Sequence, residues 1–136
     1  MLNTVNYWAV FAAAVAYMVI GYLWYGPLFG ARWRRLQGLS DEAMRSMPLS
    51  AGQAMGIGFV SALLMAFVLG QFAVLWGALT VGDAIALAFW VWLGFVVTTQ
   101  AGSWLWEGKP FALLALNGAA SLVSFVAMAT ILVLFQ

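Results

Sequence analysis

Four long apolar runs, none holding a charged residue, constrain this chain more than any other feature: Tyr7 to Tyr25, Gly52 to Leu75, Ala84 to Gly102 and Phe111 to Phe135. Crossing roughly 30 Å of hydrocarbon at about 1.5 Å per residue takes roughly 20 residues, so each run can span a bilayer as a helix. The remainder could not solubilise them: of 136 residues, 66% are hydrophobic and 7% charged, with a mean hydropathy of +1.03. The bilayer is therefore the solvent. The expected fold is an all-α integral membrane protein, a single domain (residues 1–136) of four transmembrane helices in a compact bundle. The first run lacks a basic leader and continues past any small-residue cleavage site, so it reads as a retained helix rather than a signal peptide.

Charge fixes the expected orientation. All five basic residues, Arg32, Arg34, Arg35, Arg45 and Lys109, fall in the first and third connections, which four spans place on one side. The second connection carries only Asp83, placed to cap the third helix. By the positive-inside rule the first and third loops are cytoplasmic and both termini lie outside. Tyr7, Trp8 and Trp76 then mark the outer interface, and Trp24, Tyr25, Trp33, Trp104 and Trp106 the inner one. Trp90 and Trp92 fall within the third span, facing lipid, a neighbouring helix or a bound apolar molecule.

The chain has no cysteine and no histidine, which removes disulfides and the usual ligands for zinc, copper and haem iron. No ionisable group lies inside a span, where ion-coupled transporters usually keep one. The four carboxylates, Asp41, Glu42, Asp83 and Glu107, all sit in loops. No enzymatic activity, cofactor or nucleic-acid partner is expected.

Uncharged polarity inside the bilayer is unevenly placed. Thr98, Thr99 and Gln100 lie toward the basic end of the third run, Asn117, Ser121 and Ser124 share one face of the fourth, and Gln53 begins the second at the same depth. Gln53, Thr99, Gln100, Asn117 and Ser121 could line a polar pocket open to the cytoplasm; equally, they could be hydrogen-bond glue between helices. Small residues at Gly52, Gly56, Ala66 and Gly70, and at Ala9, Ala12, Ala13 and Ala16, suit close helix packing and self-association.

The first connection has its own pattern. Pro27 should end the first helix, after which Phe29, Trp33 and Leu36 recur at near-helical steps with arginines between them. That describes a short amphipathic helix in the first cytoplasmic loop, its Arg32, Arg34 and Arg35, with Lys109, facing lipid headgroups or phosphate-bearing ligands, or else serving only as a topology signal. Glu107 is a candidate salt-bridge partner for Arg32 or Arg35. Ser40-Asp41-Glu42 reads as an N-cap with acids in the following turn. Leu23-Trp24-Tyr25-Gly26-Pro27 and Leu105-Trp106-Glu107-Gly108-Lys109-Pro110 could be traces of a repeat, or a chance product of common interface residues.

Several of these stretches also carry a family resemblance over nearly the whole chain. Leu23 to Trp33 (LWYGPLFGARW), Trp92 to Thr99 (WLGFVVTT), Trp106 to Pro110 (WEGKP) and Leu116-Asn117-Gly118, in this order, resemble the small bacterial membrane proteins of domain-of-unknown-function family 1761. The resemblance implies a four-helix protein of the inner membrane and supplies no activity. It directs attention to Trp24, Tyr25, Pro27, Trp33, Thr98, Thr99, Glu107, Pro110 and Asn117. Two functions fit all of this: a homo-oligomeric protein binding or passing a small solute or lipid, and an accessory subunit packed against a larger membrane complex. Membrane lipids are the expected partners in either case.

Overall fold

A computed structural model describes residues 4–136. Four helices are long and apolar enough to cross a membrane, at Tyr7–Leu28, Ala51–Trp76, Val81–Trp106 and Phe111–Leu134. The first comprises α1 (Tyr7–Leu23) and a π turn (Trp24–Leu28); α2 (Gly30–Gln37) and α3 (Asp41–Arg45) follow it in the connection, and α4 (Ala51–Trp76) is the second. The third is divided into α5 (Val81–Val91), a second π turn (Trp92–Val96), α6 (Val97–Gln100) and α7 (Gly102–Trp106); α8 (Phe111–Leu134) is the fourth.

Lipid tails are as apolar as leucine, so these helices associate through close packing and hydrogen bonds rather than through escape from water. The core shows it, because Ala13, Ala14, Ala62, Ala66, Ala84, Ala88 and Ala129 are fully buried, with Leu69, Leu113 and Met128 the largest fully buried side chains. Helix α8 is central, packing against α1, α4 and α5, while α4 and α5 meet only lightly. Gly70 of α4 approaches Val5 and Leu132 closely. The Gly52 and Gly56 pair, expected at a helix contact, is exposed instead, because the packed part of α4 begins further along, at Ala62.

The two ends of the bundle are closed differently. At one, Asn6 caps α1 by accepting from the amides of Trp8 and Ala9, and its Nδ2 donates to the Phe135 carbonyl at 2.7 Å. Gln136 Nε2 donates to the carbonyl of Ala78 in the second connection. At the other end Lys109 Nζ donates to the Gln37 carbonyl at 2.9 Å, tying the third connection to the first. The five basic residues therefore share one end of the molecule.

Helix boundaries correct two expectations. The cap of α5 is Thr80, in extended conformation, whose hydroxyl accepts from the Asp83 amide; Asp83 sits one turn in and accepts from the amides of Leu79 and Thr80. A capping box satisfies more orphan amides than a lone Asp83 could, so the helix starts earlier. Pro27, in turn, does not end the first helix. It lacks the N–H that an α-turn would use, and its ring crowds the carbonyl four residues back; the helix widens around it, with the Phe29 amide donating five residues back to Trp24 O at 2.8 Å. Ser40 does cap α3 as expected, with Asp41 and Glu42 in its first turn.

The suggested repeat is not matched in conformation. Its first copy lies in the π turn, whereas its second ends α7 and turns at Gly108, with φ of 70°. The two π turns instead share an opening of their own, Trp24-Tyr25-Gly26 and Trp92-Leu93-Gly94.

Candidate functional site

The basic end is built around α2, which is fixed at both ends. Where the π turn passes into α2, Gly30 comes so close to the Tyr25 carbonyl that an added Cβ would lie 2.7 Å from its oxygen. Only glycine permits that approach. The rings of Tyr25 and Trp33 pack edge to face at 5.6 Å, and those of Trp24 and Phe29 lie 4.8 Å apart. At the far end, Gly38 in the left-handed region (φ 73°) closes α2 with a Schellman motif, Leu39 N donating to Arg34 O and Gly38 N to Arg35 O. Lys109 accounts for the neighbouring carbonyl of Gln37. So held, α2 lies against α8.

Both π turns send a donor to α8. Tyr25 OH donates to Asn117 Oδ1 at 2.7 Å. Trp92 Nε1 is shared between the Gly118 carbonyl at 2.9 Å and Ser121 Oγ at 3.1 Å. Ser121 Oγ in turn lies 2.9 Å from the Gly118 carbonyl and 3.4 Å from Gln100 Oε1. Gly118 makes room for this, since a Cβ there would touch Val97 and Trp92. Part-buried polar side chains are thus paired with one another between helices.

The five residues expected around one polar pocket therefore fall into separate roles. Gln100 and Ser121 meet each other, and Asn117, one turn away on α8, is taken by Tyr25. Thr99 donates its hydroxyl back to carbonyls of its own helix, as Thr98 does. Gln53 completes a capping box with Ser50 at the start of α4. Sequence reasoning missed the hydrogen bonds of Tyr25 and Trp92 to α8, assigning Tyr25 to the interface and Trp92 to lipid, helix packing or a bound apolar molecule. A usable signal was present, because a buried Tyr or Trp takes its O–H or N–H to an acceptor. Of the other expected anchors, Trp106 is widely exposed, Trp33 packs on Tyr25, and the Trp24 indole nitrogen is buried without a hydrogen-bond partner, for which the structure offers no explanation.

Between α2 and α8 lies a groove of about 550 Å³, lined by Arg32, Arg35 and Leu36 on one side and by Ala112, Ala115 and Leu116 on the other. Its size suits a small ligand, for which pockets run roughly 300–1,000 Å³. Arg32 and Arg35 are three residues apart and so share a helix face, while Arg34 is not among the lining residues. Glu107, considered as their partner, is exposed and makes no ion pair with either among the described residues.

Fold and site together define a four-helix, membrane-spanning bundle with an arginine-edged groove at one end. The chain belongs to the family described as protein of unknown function DUF1761, whose model matches residues 8–133. Neither a curated protein nor a solved structure shows significant similarity to it.

Proposed function

We propose that this protein binds an anionic amphiphile, gripping a phosphate-bearing headgroup with Arg32 and Arg35 in the groove between α2 and α8. The observation that carries the reading is the groove itself, with two guanidiniums unpaired by carboxylate on one edge and apolar α8 side chains as its floor. A guanidinium offers paired N–H groups that match phosphate oxygens, and each such charge-assisted bond contributes about 1.5–3 kcal/mol. Attraction to an anionic bilayer surface, roughly 1 kcal/mol per basic residue, would act on Arg34 equally; the groove distinguishes Arg32 and Arg35 from it. Binding is favoured over passage of a polar solute because Asn117, Gln100 and Ser121 already bond within the bundle.

On this reading the protein is a non-enzymatic, multi-pass component of a bacterial inner membrane. Its basic end and both odd-numbered connections face the cytoplasm, in keeping with the positive-inside rule, and homo-oligomers form through its lipid-facing surfaces. The test is lipid binding by native mass spectrometry of the full chain, comparing phosphatidic acid with a neutral diacylglycerol. Arg32→Gln/Arg35→Gln should lower phosphatidic acid affinity roughly tenfold or more, and Arg34→Gln should leave it nearly unchanged. An equal loss from Arg34→Gln would reduce the effect to general surface charge and overturn the site.

A second reading, an accessory subunit of a larger complex, draws on the third span. It is the least buried of the four, with Trp90 60% and Phe95 69% exposed. A stoichiometric hetero-partner retained in mild detergent would support it.

A further inference from the structure

The geometry points to a seat for one hydrocarbon chain, running from the arginine groove along α8 as far as Leu122, so that the ligand is a single-chain anionic lipid or one chain of a larger one. This rests on the reading of the arginine groove as a headgroup site. A second groove of about 440 Å³ lies on the neighbouring face of α8, lined by Trp92, Val97, Phe111, Ala115, Ala119 and Leu122 among others. Ala115 lines both grooves, so they adjoin. From Ala112 to Leu122 the helix rises about 15 Å, from the headgroup level into the hydrocarbon layer.

The walls give the furrow its shape. Leu36 and the arginines of α2 border its first part, and Trp92 and Val97 of the third span border the second. Trp92 is fixed there by its hydrogen bonds to Gly118 O and Ser121 Oγ, which turn its polar edge into α8 and leave ring carbon toward the furrow. The floor is alanine at 112, 115 and 119, each exposed. A polar or bulky occupant finds no partner in the second groove; an alkyl chain whose phosphate is held by Arg32 and Arg35 enters it without leaving the apolar layer. Since the bilayer solvates a chain equally well, the seat contributes shape selection, and the head supplies most of the affinity.

The test uses the full-length protein in detergent with three probes: lysophosphatidic acid (phosphate and one chain), glycerol 3-phosphate (the same head without the chain) and a neutral monoacylglycerol (the chain alone). Ala119→Trp fills the furrow from an exposed position, and Ala119→Leu fills it in part. Lysophosphatidic acid affinity should fall about tenfold in Ala119→Trp and by less in Ala119→Leu, with the melting temperature held near wild type. Glycerol 3-phosphate should compete only at concentrations at least about tenfold higher, and the monoacylglycerol should bind more weakly still. Unchanged lysophosphatidic acid affinity in Ala119→Trp, or glycerol 3-phosphate competing as well as the lipid, overturns the chain seat and leaves the headgroup reading standing. Full affinity in Arg32→Gln/Arg35→Gln overturns the headgroup reading itself.

Discussion

The two π turns, Trp24–Leu28 and Trp92–Val96, begin alike and reach the same helix, yet they arise from opposite causes. In the first, Pro27 removes a donor and its ring forces the backbone wider. The second has no proline. There the Thr98 hydroxyl donates to Gly94 O at 2.8 Å and that of Thr99 to Phe95 O and Val96 O, so extra donors serve the carbonyls of the widened turn. Side-chain donors inserted into a helical ladder are a known source of bending. Either route supplies partners to the widened turn, Phe29 N to Trp24 O in the first and the Thr98 and Thr99 hydroxyls in the second, within a bilayer where an unsatisfied group costs several kcal/mol. The comparison teaches that a π turn is a way to aim an aromatic donor: Tyr25 from one side and Trp92 from the other hold neighbouring turns of α8. The first turn does more, because its continuation, α2, carries the arginines.

The sharpest way to break the comparison is at Gly30, which only the first turn needs. A Cβ 2.7 Å from a backbone oxygen cannot be relieved by a side-chain movement, so Gly30→Ala should destabilise the protein by about 1–3 kcal/mol. Thermal unfolding in detergent would show it; an unchanged melting temperature would mean that the turn is not built as described. The second turn has no such contact: Gly94, which corresponds to Gly26, has nothing near an added Cβ, and Gly94→Ala should be mild.

Next in size is loss of either donor to α8. Tyr25→Phe removes one hydrogen bond and Trp92→Phe a donor shared between two acceptors, and each should cost about 0.6–2 kcal/mol. They should separate in function when read with the chainless probe glycerol 3-phosphate: Tyr25→Phe loosens the turn that feeds α2 and should weaken its binding several-fold, while Trp92→Phe, at a residue that borders only the chain groove, should change it little. Equal effects on binding would mean that α2 is not positioned through Tyr25. The smallest expected change is Thr98→Val/Thr99→Val, a few tenths of a kcal/mol per bond lost. Its mark would be faster amide exchange confined to residues 92–100, and uniform exchange across the third span would contradict the role given to the hydroxyls.

Much of this architecture was legible in the residues. Four charge-free runs left the chain no soluble alternative, the arginines and Lys109 marked one end, and Ser40-Asp41-Glu42 announced α3. What was hidden is long-range or subtle. Asn117 read as one of five polar residues near the depth of Thr99 and Gln100, but its partner comes from 92 positions earlier in the chain. Thr99 read as pocket polarity or as glue between helices, while its hydroxyl, like that of Thr98, is consumed within one turn of its own helix, an option sequence spacing does not reveal. Pro27 read as a stop, because widening costs less than ending a helix inside lipid only when Phe29 can still reach Trp24 O. The groove became visible only once α2 was placed on α8, since Arg32 and Ala112 are far apart along the chain.

The most direct measurement is an experimental structure of the full-length protein in nanodiscs containing phosphatidic acid. The expected result is phosphate density bridging Arg32 and Arg35, with chain density along Ala115 and Ala119. Phosphate density gathered around Arg34 or Arg45, with the groove between α2 and α8 holding none, would contradict it.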